Sequence, residues 1–145
     1  MASAAVLYTP EVLALATSLA NYRLGDDLPL RAEARSRSCG STLTLGLELD
    51  EQGRVSRVGL RSQACAIGQA SAAVFAQGVH GRPAEEVART GQLIALWLAG
   101  DAEMPDWPGL SSIAAAREYP GRHGALMLPW TAALQLLLPT PSIQS

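Results

Sequence analysis

The residues able to do chemistry in this 145-residue chain are few: two cysteines, two histidines and eleven arginines, with no lysine. Cys39 stands in Ser38-Cys39-Gly40-Ser41 and Cys65 in Gln63-Ala64-Cys65-Ala66-Ile67-Gly68. Thiolate sulfur ligates zinc, iron and iron–sulfur clusters and attacks other sulfur atoms, so this pair is a candidate for a shared metal or for sulfur transfer. Two inert buried thiols are the alternative, since free cysteine is among the most buried residue types. The residues alone leave both readings open. His123, in Arg122-His123-Gly124, reads either as an imidazole ligand for zinc or iron or as a surface histidine in a glycine-flanked loop. His80, in Val79-His80-Gly81-Arg82, reads as a solvated loop residue.

Other chemistry is excluded. Without lysine there is no Schiff base and no phosphate-loop cation. No Gly-x-Gly-x-x-Gly, His-Glu-x-x-His or Gly-x-Ser-x-Gly occurs. Asp26-Asp27 and Glu85-Glu86 are adjacent pairs whose side chains diverge, so neither is a facing acid–base pair. The inventory points to a binding or sulfur-handling protein, not an enzyme.

The elements that must position the cysteines are legible from periodicity. Thr9-Pro10-Glu11 starts a helix, with a hydroxyl cap, proline in the first turn and an acid near the positive dipole end. Leu30, Ala32 and Ala34 alternate with Arg31, Glu33 and Arg35 as a half-exposed strand. Leu43, Leu45, Leu47 and Leu49 alternate with Thr44, Gly46 and Glu48, the period of a strand with one buried face. Asp50-Glu51-Gln52-Gly53 turns into a returning strand with Val55, Val58 and Leu60, which predicts a hairpin and, with the first strand, a three-stranded antiparallel sheet. Helices are predicted from Ala66, from Arg82-Pro83 to Gly100, near Ser111 to Ala116, and over the C-terminal stretch to about Leu138. Trp97, Trp107 and Trp130 read as packing residues. Both cysteines therefore fall at element ends. A thiol opening a helix faces the positive end of its dipole, which favours the thiolate form.

Composition fits one globular α+β domain over residues 1–145, with a flexible Pro/Ser tail over 139–145: 48% hydrophobic and 17% charged residues suffice for a core. The net charge of −2 gives no reason to expect nucleic acid or an anionic membrane as partner. The apolar run from Gly124 to Leu138 is shorter than the roughly 20 residues a membrane span needs and holds Pro129. The N-terminus carries no basic residue before its apolar ones, and two cysteines make no disulfide framework, so a cytoplasmic setting is expected.

Cys39-Gly40, the run Cys65-Ala66-Ile67-Gly68-Gln69-Ala70-Ser71-Ala72 with the later Gly78-Val79-His80-Gly81, and Tyr119-Pro120-Gly121-Arg122 followed by Leu128-Pro129-Trp130 resemble the U-type iron–sulfur cluster scaffold family. This is the IscU, SufU and NifU N-terminal group. Gly100 to Glu118 is similar to the insertion of the SufU branch, and the resemblance covers roughly residues 5 to 138. It implies the SufE/NifU-like fold, a three-stranded antiparallel sheet with helices packed on it. It also implies a scaffold binding iron, a [2Fe–2S] cluster or zinc, with a cysteine desulfurase or an apo iron–sulfur client protein as partner.

The chain departs from the family pattern at three places. Ala125 stands where the third cysteine belongs, Ser41 where the aspartate belongs, and the Asn-Pro-Arg-Asn element is reduced to Asn21-Tyr22-Arg23. The implied ligand set is then Cys39, Cys65 and His123, with Ser41 and Arg122 as secondary candidates. Ala125 is expected to leave a gap at the same edge. The alternatives are a SufE-like accessory accepting persulfide from a desulfurase, and a metal-free adaptor.

Overall fold

A computed structural model of the chain describes residues 7–37 and 40–138. Cys39 and the tail 139–145 lie outside the described residues. The Thr9 hydroxyl accepts the Val12 N–H at 3.1 Å and starts helix α1, Pro10–Ser18, as the cap and proline predict. Strands β1 (Leu30–Arg35), β2 (Thr42–Leu49) and β3 (Val55–Gln63) form one antiparallel sheet in the order β1-β2-β3. Val55 and Val58 are three apart, out of step with a strict alternation, and the β2–β3 pairing accommodates this with a register shift between Glu48 and Leu49.

Helices α2 (Ala66–Val79), α3 (Ala84–Leu98) and α4 (His123–Leu137) follow. Pro83 occupies the capping position of α3, not its first turn. The segment read as a short helix is a 3-10 run, Leu110–Glu118. Leu43, Leu45, Leu47 and Leu60 are buried on the inner sheet face, which α2 and α4 cover. Alanines at 70, 72, 73 and 76 keep α2 thin enough for close approach. The three tryptophans are buried, as expected. Among the described residues no helix is long and apolar enough to cross a membrane.

The outer sheet face is half covered. Gly46 and Gly59 are register partners, and Leu24 and Leu28 lie over them. A Cβ on Gly59 would meet the Arg23 carbonyl oxygen at 2.5 Å, so the absence of a side chain there lets the strap from Tyr22 to Leu28 cross the sheet. The strap is tied by the Leu60 N–H donating to the Tyr22 carbonyl at 2.8 Å. It is also held by Arg57, which donates to Asp27 at 2.6 Å and to Glu48 at 2.5 Å.

The Arg57 hydrogen bond, with its charge, holds the Asp27 carboxyl below the usual carboxylate range. A carboxyl lowered in the folded state stabilises above its unfolded pKa and loses that contribution as pH falls through the lowered value. The stability gap between the parent and Arg57→Gln, measured by urea denaturation, should therefore narrow as pH drops from neutrality to below about 4. A gap constant over that range would mean that the clasp contributes nothing.

Candidate metal and sulfur site

The sheet register carries both cysteine-bearing segments out of one end of the sheet. Thr42 opens β2 and is paired with Arg35, which ends β1, and with Gln63, which ends β3. Directly paired residues on neighbouring strands have Cα atoms roughly 5 Å apart. Ser41 and Ala64 thus leave the sheet side by side, and Cys65 is one residue further on. The β1–β2 turn is closed by the Ser36 N–H donating to the Ser41 carbonyl at 2.8 Å and the Gly40 N–H donating to the Ser36 carbonyl at 3.0 Å. Gly40 has φ +71°, the left-handed conformation that glycine adopts without strain. Ser41 is buried and engaged within this turn.

Cys65 occupies the N-terminal capping position of α2, with extended backbone angles (φ −67°, ψ 172°), and its side chain is half-buried. Its carbonyl accepts the Gln69 N–H at 3.0 Å, while the Gln69 side-chain amide donates to the Ala64 carbonyl at 2.9 Å. These two bonds fix the strand-to-helix corner that presents the sulfur. Three residues before it, the Ser62 hydroxyl oxygen is buried without a hydrogen-bond partner among the described residues.

The C-terminal helix meets this corner. A Cβ on Gly68 would stand 2.7 Å from the Ala64 Cβ and 3.5 Å from the Ala125 Cβ, so α2 and α4 touch at the turn that follows Cys65. Pro129 cannot donate to the carbonyl four residues back, at Ala125, which opens this turn of α4. The Ser71 hydroxyl reaches in and donates to the Leu126 carbonyl at 2.5 Å. Ala125 lies where the third cysteine's position was expected, but it leaves no gap: its side chain is fully buried against α2. The close packing permitted by Gly68 accounts for the difference.

His123 opens α4 and is half-buried. Its Nε2 donates to the Arg117 carbonyl at 2.7 Å, so the neutral ring keeps its lone pair on Nδ1. A hydrogen bond from one ring nitrogen to a carbonyl is the usual way of fixing a ligating histidine. The ring lines a recess of about 300 Å³ with Leu98, Gly100, Arg117 and Glu118. Positions two apart on a helix are separated by about 200°, so His123 and Ala125 leave α4 on different sides. Arg122 donates through Nε to the Tyr8 hydroxyl at 3.2 Å and ties this approach to the N-terminal segment. His80 is exposed where α2 ends. Among the described residues, no three His, Cys, Asp or Glu side chains converge to hold a metal. Cys39, the remaining member of the expected set, is not among them.

A sheet of this order, two helices on one face and a cysteine at the sheet-to-helix corner are the arrangement that the sequence resemblance implied. The profile of the NifU-like N terminal domain family matches residues 14–117, and the chain belongs to that family. The match spans both cysteines and ends before His123 and Ala125. A nitrogen-fixing NifU-like protein (N-terminal) from Brucella abortus is similar in structure, with a TM-score of 0.82 at 26% identity over 90% of this chain and 91% of that one. FiSufU from thermophilic Fervidobacterium islandicum AW-1, a candidate iron–sulfur cluster assembly scaffold protein for the SUF system, shares the fold. Its TM-score is 0.80 at 22% identity over 93% of this chain and 99% of that one. No curated protein matches the sequence.

Proposed function

We propose that this protein is a non-enzymatic, cytoplasmic scaffold of iron–sulfur cluster assembly. It would carry iron, a [2Fe–2S] cluster or zinc as cargo on Cys39, Cys65 and His123, and exchange it with a cysteine desulfurase or an apo client protein. The observation that carries the reading is the register Arg35–Thr42–Gln63, which brings the segments bearing both cysteines out of one end of a NifU-family sheet. Two thiolates and one imidazole suit zinc or iron but fall one short of the four ligands that structural zinc and [2Fe–2S] sites use. A partner or an outside thiol would supply the fourth, which suits cargo that must leave.

The burial of Ala125 favours a second reading, because a chain without the third thiol still has what sulfur transfer needs. In that reading the Cys65 thiolate attacks the outer sulfur of a donor persulfide. A new S–S bond forms on Cys65, the donor's S–S bond breaks, and the donor cysteine leaves as thiolate.

The two readings separate on His123. If it is a ligand, His123→Ala lowers zinc or iron affinity at neutral pH by about 10-fold or more, while His80→Ala leaves it unchanged. Competition with a chromophoric chelator measures both. Parental affinity in His123→Ala would reduce the site to two cysteines and move the persulfide reading ahead.

A further inference from the structure

Arginine is the sole side-chain cation here besides histidine, and the structure divides the arginines of the sheet into two sets. Those on the strap-covered half are neutralised: Arg57 by Asp27 and Glu48, and Arg31 by Asp26 at 4.0 Å. On the uncovered half, Arg35 and Arg61 are exposed, and Arg37 is exposed in the turn that leads to Cys39. Among the described residues none of these three forms an ion pair. The register places them. Arg35 pairs with Thr42 and Glu33 with Thr44, whose other partner is Arg61. These positions alternate with buried Ala34, Leu43 and Leu60, so they face outward. Among the described residues, the outer face at this end of the sheet therefore carries two unpaired guanidinium groups, on Arg35 and Arg61, against one strand carboxylate, Glu33, with the exposed Arg37 in the adjoining turn from which the first cysteine segment leaves.

We propose that this corner is a docking surface for a carboxylate-rich face of the cysteine desulfurase that delivers sulfur to Cys65. The inference rests on the reading of Cys65 given above and adds where the partner sits. Charge complementarity argues the occupant: unpaired guanidinium groups beside a reactive site gain most from a partner's carboxylates, which steer it and fix its register. Nucleic acid fits less well. The chain is net negative, and the strand positions on this corner are Thr, Gln, Glu and Arg, without an aromatic ring on which bases could stack.

The test uses the full-length protein and the cysteine desulfurase of the same organism, with association measured by biolayer interferometry. Charge reversal in Arg35→Glu/Arg61→Glu should weaken binding at least about tenfold at low salt, and the difference should shrink at about 300 mM salt. Arg89→Glu, an exposed charge on α3, should change nothing. The neutral pair Arg35→Gln/Arg61→Gln should lie between parent and reversal, which keeps the test valid if the reversed variant misfolds. The proposal is overturned if the reversal has no effect, if Arg89→Glu matches it, or if the parent does not bind the desulfurase. Equal affinity for a single-stranded oligonucleotide or anionic vesicles would also overturn it. Metal and sulfur loading of the isolated protein is read separately. Loading without corner-dependent docking removes this surface and leaves the proposed function, and docking without loading does the reverse.

Discussion

Trp130→Ala is expected to cost about 3–5 kcal/mol of folding stability, the range for removing a large aromatic side chain from a core. Trp130 is fully buried on α4. It meets Phe75 of α2 edge-on (centroids 5.0 Å, planes 80° apart) and Trp107, in the loop between α3 and the 3-10 run, likewise (4.8 Å, 84°). Trp107 is itself pinned by its indole N–H donating to the Val74 carbonyl at 2.9 Å and by Arg82 over its ring. One substitution therefore loosens α2, α4 and the loop together. Among the described residues the buried Trp130 indole N–H has no acceptor, so no hydrogen bond from it enters that sum. Trp130→Phe keeps an aromatic ring and removes the unsatisfied donor, and should cost only about 1–2 kcal/mol. Urea denaturation followed by circular dichroism distinguishes them. Equal losses for Ala and Phe would show that the N–H matters and the ring does not.

Cys65→Ser is expected to abolish loading of metal and of transferred sulfur while leaving the fold intact. Serine is a preferred N-cap residue, and Cys65 occupies the capping position of α2 without a side-chain hydrogen bond to the helix. The replacement should hold or improve the helix start, keeping stability within about 1 kcal/mol of the parent. A loss of loading then belongs to the sulfur atom. Undiminished zinc, iron or persulfide capture by a folded Cys65→Ser protein would remove Cys65 from the site in both proposed mechanisms.

Much of this arrangement is legible in the residues. The leucine alternation from 43 to 49 fixes β2 because one buried face imposes a period of two, and the Thr9-Pro10 cap fixes α1 because first-turn N–H groups need an acceptor. The placement of Cys65 at a strand-to-helix junction follows from the switch from alternation to a run of small residues.

Long-range pairings were not legible. Gly46 and Gly59 look unremarkable until the register pairs them and a strap fills the space they leave. Arg57 reaches Asp27 across thirty positions, beyond any local pattern. Ala125 reads as a gap by alignment, yet a glycine three residues after Cys65 lets the helices close over it. The engagement of His123 with the Arg117 carbonyl depends on how the 3-10 run ends, which periodicity does not encode.

The central claim is that the segments leaving the sheet beside Thr42 and Gln63 hold one cargo between Cys39 and Cys65. Native mass spectrometry of untagged protein, purified without oxygen, tests it most directly. The expected spectrum shows the mass of zinc, iron or a [2Fe–2S] cluster on the parent, and its loss from Cys39→Ser and from Cys65→Ser alike. A parent that carries no metal, or one that keeps its metal when either cysteine is replaced, would contradict the shared site.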